Sequence, residues 1–565
     1  MLSIYLLAAG VLGVLAHWGF FVHGEHDLRA PIIARLHVVA MVMIVFVRCK
    51  VEETSFSAVA WQSLLLIGVY AATLSWSILI YRIFLSPLKH IDGPWRMRLS
   101  KFAHVWKQAR YRNFEVLDAL HERYGDVVRT GPNEVTVFGT EAYYKVYGKE
   151  SRCTRAAYYD ILQPLVTLTT YRTAAAHANR RKIWDPAFSP TAVEKLVPLV
   201  YEKADLLLGQ LQDKGQQPLD ISSWFEYYTF DLMGEIGLSF KFGNLDRGSP
   251  HPILTLYHLA QRRLAAFGAA PWMKHLIMGL PFITRLGPYK RYMGWATTQL
   301  QQIISLSDTS PEAVTYQTKR CTHEQEGGSG RSDLLGRLIT HARENGGIEA
   351  NWRLLLGDFV LLIAAASDPI HQVLVNVLYY LLQKPAHLSR VLEELESVDV
   401  RDYKALQQLP HLNACIYETL RLNPGIPSAG LRVTPPEGLH IGEEFIPGGT
   451  TIVAPQYSLF RDSRNFVRPL EWIPERFSSQ PELILDRQAF VPWGVGQYAC
   501  VGRQLGLMEL RIATAMLLTR FHCRFAPGED GQRMFSEALD HFTTTPGPLH
   551  VVLQPHSEFS RAREG

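Results

Sequence analysis

One cysteine in this chain, Cys500, lies in a glycine-rich loop over residues 493–502, which leads directly into an apolar segment over residues 503–518. Three glycines in this ten-residue loop let the backbone turn sharply and approach a flat ligand without a Cβ in the way. A helix that starts after the loop brings free N–H groups near the sulfur, and these lower a thiol pKa. Such a thiolate suits a soft metal, and haem iron is one metal that a single cysteinate holds. A structural cysteine buried in a glycine-rich turn explains the loop equally well.

Glu418 and Arg421 form a second pattern, because three residues apart on a predicted helix they share one face and suit an ion pair. A Glu-x-x-Arg pair alone is uninformative, since most helical proteins contain one by chance. Further along the chain, the sequence Pro-Glu-Arg-Phe places Arg476 in a turn. We expect this arginine to join the pair through bidentate contacts and to fasten a loop across the helix.

A run of small residues over 364–367 lies in the middle of an apolar helix predicted over residues 354–382. Small side chains allow a bulky group to lie against the helix backbone. The next residue, Asp368, is costly in an apolar helix unless its carboxylate has a partner or a task. The alternative is that the helix breaks here, and that Asp368 caps a second helix with Pro369 in its first turn.

The composition is that of a core-rich globular chain, since 47% of the 565 residues are hydrophobic and 19% are charged. The formal net charge of +4 is too small at this length to indicate a nucleic-acid partner. The six cysteines are scattered, without a Cys-x-x-Cys pair, at Cys49, Cys153, Cys321, Cys415, Cys500 and Cys523. This spacing indicates neither a disulfide framework nor a zinc site, and it favours a reducing compartment.

The first 85 residues are more apolar than the rest and predict a membrane anchor. Residues 2–21 and 58–80 are uncharged and long enough to cross a hydrocarbon core of about 30 Å. Residues 32–47 are a shorter run with one arginine, so they predict either a marginal span or a membrane-surface helix, and the anchor has two or three spans. A cluster of basic residues then places the downstream chain on the cytoplasmic side. These residues are Arg82, Lys89, Arg96, Arg98 and Lys101.

Beyond the anchor, the pattern is mostly helical with a minor sheet, and it indicates one large domain. Residues 114–124 have helical spacing, and residues 127–138 have the alternation and central turn of a hairpin. Long helical segments follow over residues 192–390, interrupted by a polar, glycine-rich stretch at 318–332 that predicts an exposed loop. Short strands with glycine turns are predicted over residues 432–453.

Four motifs, taken together and in their order along the chain, resemble the cytochrome P-450 superfamily of haem-thiolate enzymes. They are the small residues before Asp368, the Glu-x-x-Arg pair, Pro-Glu-Arg-Phe and the cysteine loop. The resemblance runs from about Pro87 to about Leu553, and the sequence of residues 505–511 is similar to that of fungal members. It implies the mainly α fold with a minor β part of that family, preceded by transmembrane helices. The expected division is an anchor over 1–85, a proline-containing hinge over 86–98 and a haem-thiolate catalytic domain over 99–565.

The resemblance also implies roles for the residues that match the family's motifs. Cys500 would be the proximal axial ligand of the haem iron, where an electron-rich thiolate favours O–O cleavage. Glu418, Arg421 and Arg476 would form the scaffold that holds the haem loop in place.

Five residues would lie at the haem edge, and some of them depart from the family's pattern. Arg181 and Arg432 match arginines that bind the haem propionates, and His177 stands where the family usually has a tryptophan with the same task. The loop opens with Trp493 instead of phenylalanine. Tyr498 replaces a basic residue, so it brings a hydrogen-bonding phenol without a positive charge, and the two arginines must neutralise more of the propionate charge.

The larger departure is Pro369, which stands where the family usually has a threonine that helps to deliver protons to iron-bound oxygen. Proline removes the hydrogen bond to the carbonyl of Ala365 and predicts a kink in the helix. Ser367 and His371 lie about 200° around the helix from this position, so neither replaces the hydroxyl directly. Asp368 with ordered water, or a hydroxyl on the substrate, would then relay the protons.

The leading hypothesis is a monooxygenase of fungal secondary metabolism, anchored in the endoplasmic reticulum membrane with its catalytic domain in the cytosol. It would hold haem b and insert one oxygen atom into a small apolar organic substrate. Electrons would come from NADPH through a separate NADPH–cytochrome P-450 reductase, with cytochrome b5 as an optional second donor, because this chain lacks a nucleotide-binding motif. Pro369 keeps open an alternative, a haem-thiolate isomerase or dehydratase that works without oxygen or reductase. A third reading is a membrane protein with a structural cysteine and no haem.

Overall fold

The computed structural model describes residues 2–51, 56–108, 110–279, 287–309 and 334–556. The polar stretch predicted over residues 318–332 lies outside these residues. The described part is mainly helical with small sheets, as the sequence predicts.

Three apolar helices form the N-terminal part, each long enough and apolar enough to cross a membrane. They are α1 (Leu2–Ala16, continued by a π-helical turn His17–Phe21), α2 (Ala30–Val51) and α3 (Phe56–Ile80, continued by a π-helical turn Tyr81–Leu85). From the sequence, the middle helix is predicted to be either a marginal span or a membrane-surface helix. In the structure it has 22 residues, about 33 Å at the rise of an α-helix, and meets the same criteria as its neighbours. The anchor therefore contains three candidate spans.

The helices of the large domain include one of 37 residues, Gly347–Gln383, which is buried along much of its length. They are α4 (Trp95–Leu99), α5 (Phe102–Gln108), α6 (Asn113–Tyr124), α7 (Thr140–Tyr147), α8 (Ala174–Trp184), α9 (Pro190–Glu194), α10 (Val197–Asp213), α11 (Ile221–Leu238), α12 (Asn244–Arg247), α13 (Pro252–Ala266), α14 (Pro271–Met278), α15 (Pro288–Thr309), α16 (Leu334–Glu344), α17 (Gly347–Gln383), α18 (Pro385–Glu396), α19 (Tyr403–Gln408), α20 (Pro410–Leu422), α21 (Gln456–Leu459), α22 (Arg503–Arg520) and α23 (Gln532–Ser536).

The strands form four small sheets, of which the largest has five strands in the order β1-β2-β8-β5-β3. They are β1 (Val127–Gly131), β2 (Glu134–Val137), β3 (Thr154–Arg155), β4 (Leu219–Asp220), β5 (Arg432–Val433), β6 (Leu439–Ile441), β7 (Glu444–Ile446), β8 (Thr451–Val453), β9 (Phe521–Phe525), β10 (Leu539–Asp540), β11 (Thr544–Thr545) and β12 (His550–Pro555). The predicted hairpin is β1 paired with β2, and the predicted short strands are β5 to β8. In the five-stranded sheet, β3 and β5 are antiparallel with Arg155 opposite Arg432.

Helix α17 continues through Pro369 without a break, although proline cannot donate the usual backbone hydrogen bond. The interpretation of Asp368 as the cap of a second helix is therefore wrong. Asp368 lies fully buried in the middle of the helix. Its buried carboxylate needs partners from other elements, since burying an unpaired charge is costly.

Candidate active site

The loop around Cys500 has the tight turns that its glycines predict. Gly494 and Gly496 have φ angles of +69° and +67°, in the region that favours glycine. A Cβ on Gly496 would lie 2.5 Å from the carbonyl oxygen of Tyr147, so no larger residue fits there without movement. The Cys500 N–H donates to the Trp493 carbonyl over 2.8 Å and closes the loop. Helix α22 then begins three residues after the cysteine.

The Cys500 thiol does not have the lowered pKa that the sequence predicts. Burial raises its pKa, and this effect outweighs the Gly502 N–H and the positive charge of Arg181, which both act to lower it. The side chain is nevertheless accessible, as is Ala365 in the middle of α17, next to the buried Ser367 and Asp368. An accessible sulfur surrounded by protein faces an interior space rather than bulk water. A metal bound there would deprotonate the thiol by direct coordination.

Arg155 and Arg432 place two positive charges side by side in the domain interior. They are direct partners across β3 and β5, and each is only 5% exposed. Neither guanidinium forms an ion pair with a carboxylate of the described residues, and the Nε of each has no hydrogen-bond partner there. Like charges directly opposite destabilise a sheet, and buried charges need compensation. This pair therefore fits a ligand with two carboxylates, such as the propionates of haem.

Tyr498 contacts both of these arginines and His177. The Cζ atoms of Arg155 and Arg432 lie 4.2 Å and 4.7 Å from the centre of the Tyr498 ring. The His177 ring centre lies 4.5 Å from it. Burial, together with the charges of Arg155, Arg181 and Arg432, lowers the pKa of His177 to about 3. The imidazole is therefore neutral and offers an N–H donor rather than a charge.

Arg155 is the residue of this cluster that sequence reasoning missed. It is the second residue of a two-residue strand, too short to show a pattern, and its closeness to Arg432 depends on pairing across 277 positions. The only signal in the sequence is a second arginine in a short strand-forming segment. That signal is too common to single out a site.

Arg181 and Trp493 hold the loop from two sides. Arg181 donates to the carbonyl of Ala499 over 2.6 Å and pairs with Asp185, so helix α8 is fastened next to Cys500. Trp493 packs on helix α22, where a Cβ added to Gly506 would lie 3.0 Å from the indole. These contacts position the loop. Direct contact of either residue with a cofactor stays a prediction.

Glu418, Arg421 and Arg476 meet as the sequence predicts, and all three side chains are fully buried. Arg421 binds Glu418 through two hydrogen bonds of 2.7 and 2.8 Å, and Arg476 donates to the same carboxylate over 3.1 Å. The remaining guanidinium N–H groups donate to the carbonyls of Phe460, Pro469, Glu471, Arg468 and Leu483. The charged triad therefore fastens the long connection before the cysteine loop onto helix α20.

Asp368 accepts three hydrogen bonds at one carboxylate oxygen, Oδ2. The donors are Tyr257 at 2.7 Å, Gln261 at 3.0 Å and Thr543 at 3.1 Å. Its other oxygen, Oδ1, is buried and has no partner among the described residues. Tyr257 and Gln261 come from α13, and Thr543 comes from the turn between β10 and β11. These partners could not be predicted from the sequence, because they are distant from Asp368 in the chain.

The hydroxyl missing at Pro369 is not supplied by its neighbours on α17. His371 pairs with Ser222 of helix α11 over 3.0 Å, and Ser367 lies 3.5 Å from the Thr229 carbonyl of the same helix. Neither forms a hydrogen bond with Asp368 among the described residues. The hydroxyls next to this carboxylate belong to Tyr257 and Thr543 instead.

Comparison with known proteins agrees with this arrangement. A sequence model described as cytochrome P450 matches residues 100–553. The chain is 31% identical to tryprostatin B 6-hydroxylase of Aspergillus fumigatus, over 97% of this chain and 96% of the relative. It is 32% identical to cytochrome P450 monooxygenase lcsK of Purpureocillium lilacinum, over 97% of this chain and 98% of the relative.

The fold is also similar to a solved structure, the haem domain of cytochrome P450DA. That likeness has a TM-score of 0.66 at 17% identity and covers 83% of this chain and 98% of the other. The family match covers most of the large domain, and the relatives are matched over nearly their whole length. The chain therefore belongs to the cytochrome P450 family.

Proposed function

We propose that Cys500 binds the iron of haem b, and that Arg155, Arg432, Tyr498 and His177 bind its two propionates. The observation that carries this proposal is a pair of buried arginines, without carboxylate partners among the described residues, that contact Tyr498 two residues before the accessible Cys500. Arg181 and the Glu418 triad hold that loop in position. When bound, haem with an axial thiolate supplies the iron chemistry that activates dioxygen.

The enzyme acts as a monooxygenase that transfers one oxygen atom to a small apolar organic substrate of fungal secondary metabolism. The relatives named as hydroxylase and monooxygenase support this reading. Electrons come from NADPH through NADPH–cytochrome P-450 reductase, with cytochrome b5 as an optional second donor. The test is reconstitution with that reductase, in which NADPH and O2 give a product one oxygen atom heavier than the substrate.

The proton route on the distal side uses Asp368 with the hydroxyls of Thr543 and Tyr257. Thr543 lies within hydrogen-bond distance of Oδ2, so an alcohol stands next to the acid although Pro369 removes the one on α17. A proton held by the carboxyl group can pass to either hydroxyl oxygen while that hydroxyl releases its own proton onward, since both oxygens lie within hydrogen-bond distance of Oδ2. This arrangement replaces a side chain from the helix with one from the β10–β11 turn.

A cleft next to this turn offers a route for the substrate. Its wall combines apolar side chains with many polar and charged ones, including Lys101, Glu134 and Asp540. The lining includes Tyr158, Ala265, Ala269, Leu431, His541 and Phe542. Because Phe542 is adjacent to Thr543, and Ala265 is one helix turn from Gln261, the cleft leads towards the partners of Asp368.

The isomerase or dehydratase alternative rested on Pro369 alone. Thr543 weakens that argument, because a hydroxyl is present beside the acid. The two relatives described above are named as a hydroxylase and a monooxygenase and give the alternative no support. Turnover that continues without reductase and oxygen would favour the alternative.

We infer that residues 1–85 are a three-span anchor in the endoplasmic reticulum membrane, followed by the hinge 86–98 and a cytosolic catalytic domain over 99–565. The support comes from the loop between α1 and α2. Glu25 pairs with Arg172 through bonds of 2.6 and 2.8 Å, and Asp27 accepts from the Trp272 N–H over 3.1 Å. This loop and the catalytic domain therefore lie on one side of the membrane, and the N-terminus lies on the other.

Glycosylation mapping tests this topology, since Asn-x-Ser/Thr acceptor sites are modified only in the lumen. We expect modification of acceptor sites placed before Leu2 and after Val51. An acceptor site in the loop over residues 22–29 should stay unmodified. Modification of that loop site, or of a site in the catalytic domain, would contradict the proposed orientation.

A further inference from the structure

A cluster of two histidines and a glutamate lies outside the proposed haem site. His387 comes from helix α18, His411 from the first turn of α20, and Glu475 from the short 3-10 turn Pro474–Phe477. His387 Nδ1 lies 3.2 Å from His411 Nε2 and 3.6 Å from Glu475 Oε1. All three ligand atoms lie within 4.8 Å of one another.

These distances suit a tetrahedral metal ion. Zinc bonds to histidine nitrogen and carboxylate oxygen are about 2.0–2.2 Å long, which places neighbouring ligand atoms about 3.3–3.6 Å apart. The two distances from His387 Nδ1, 3.2 Å and 3.6 Å, fall at or close to this range. Two imidazoles and a carboxylate are also a common set of zinc ligands in proteins.

The surroundings allow an ion to enter and to keep a water ligand. The His411 side chain is buried, whereas those of His387 and Glu475 are 18% and 16% exposed. Arg390 donates to Glu475 Oε1 over 2.7 Å and is itself 46% exposed. The guanidinium is therefore a competing cation that can swing into solvent when a metal binds.

We propose that His387, His411 and Glu475 form a zinc site that ties α18 and α20 to the turn containing Arg476. Its position is informative, because Glu475 precedes the arginine that binds Glu418, and His411 lies two helical turns before Glu418. A bound zinc ion would therefore brace the scaffold behind the cysteine loop. The zinc site is separate from the haem iron and does not depend on the proposed reaction.

The test is titration of the purified haem-loaded protein with Zn²⁺, followed by calorimetry and by thermal unfolding. We expect one saturable zinc ion per chain and a rise in Tm of about 2 °C or more at saturation. His387→Ala should weaken zinc binding at least about tenfold and remove the Tm rise. A matched control is His90→Ala, because His90 lies 3.5 Å from Glu444 in an exposed pair that has no third ligand among the residues the structure describes. This control should bind zinc like the parent protein.

The zinc affinity of Arg390→Ala distinguishes a metal-binding site from a cluster that only stabilises the fold. If zinc and the guanidinium compete for Glu475, removing the arginine should tighten zinc binding severalfold. Zinc affinity that is unchanged by both His387→Ala and Arg390→Ala would overturn the proposal, as would the lack of saturable binding. The haem spectrum is recorded on the same samples, so failure of the zinc site is distinguished from failure of the haem site.

Discussion

Arg155 and Arg432 face each other across two antiparallel strands, and their guanidinium groups both lie within 5 Å of the Tyr498 ring centre. Two buried cations in this relationship repel each other unless anions lie between or beside them. The pair is therefore unfavourable for the polypeptide and favourable for a ligand with two carboxylates. The arginine pair should therefore lower the stability of the apo-protein and raise that of the haem-loaded protein, and both effects can be measured.

Arg155→Met tests whether Arg155 destabilises the apo-protein and strengthens haem binding. We expect the apo-protein to become more stable, because an unpaired buried charge is replaced by an apolar side chain of similar length, and this gain outweighs the lost hydrogen bonds to the Leu168 and Tyr171 carbonyls. Haem dissociation from the loaded protein should become about tenfold faster, because one propionate loses its cation. Denaturant unfolding and haem transfer to an acceptor protein measure the two effects.

The control for this variant is Arg152→Met, since Arg152 is 73% exposed in its pair with Glu437. It should change neither quantity appreciably, because exposed ion pairs contribute little. An apo-protein that is destabilised by Arg155→Met would show that the arginine serves the fold rather than a ligand.

Thr543→Val tests the proton route. The change keeps the shape of the side chain and removes the hydroxyl that donates to Asp368 over 3.1 Å. We expect hydrogen peroxide release per NADPH consumed to rise roughly tenfold, since a positioned proton donor is lost. Oxidised substrate, peroxide and NADPH are measured in the same assay.

Thr544→Val is the matched control, because this buried hydroxyl has no hydrogen-bond partner in the described part of the chain. The adjacent variant should couple NADPH to product like the parent. Equal coupling in both variants would leave Thr543 without a role. Restoring the alcohol on α17 by Pro369→Thr in the Thr543→Val background should then recover part of the product.

Glu418→Ala should abolish accumulation of folded, haem-loaded protein. The substitution leaves Arg421 and Arg476 as buried cations without their carboxylate, at a cost of about 3–5 kcal/mol. Glu418→Gln should be milder, because an amide oxygen still accepts one of the hydrogen bonds. Holoprotein yield and denaturant midpoint measure the loss, and the exposed Glu437→Gln serves as control. A wild-type midpoint for Glu418→Ala would contradict a scaffold role.

Lys274 predicts a pH dependence of stability. Burial lowers its pKa to about 8, and its ammonium group donates to the Gln163 carbonyl over 2.9 Å. The unfolded chain therefore binds more protons than the native protein between pH 8 and the ordinary lysine pKa of 10.5. The contribution of Lys274 to stability therefore rises with pH across that window.

Lys274→Met should remove this component of the pH dependence and should stabilise the protein near neutral pH. Thermal unfolding from pH 7 to pH 9.5 in detergent, compared with the exposed Lys290→Met, measures the difference. A pH slope that is identical in all three proteins would contradict the lowered pKa.

The sequence predicts the parts of the site that are local in the chain. The turns of the cysteine loop, the Glu418–Arg421 pair and the long helix around Asp368 follow from spacing and side-chain chemistry within a few residues. Arg155, Tyr257 and Thr543 could not be predicted, because folding brings them to the site from distant segments without a local pattern. The raised pKa of Cys500 was missed for a related reason. Helix proximity is visible in the sequence, whereas the burial that outweighs it depends on the whole fold.

The central claim, that Cys500 is the axial thiolate of a bound haem, is tested most directly by the absorption spectrum of the reduced, carbon monoxide-bound protein. A cysteinate ligand predicts the strongly red-shifted band that is characteristic of haem-thiolate proteins. In Cys500→His the protein should keep haem, and the band should move to the shorter wavelength typical of imidazole-ligated haem. A wild-type protein without the red-shifted band, or an unchanged band in Cys500→His, would contradict the account.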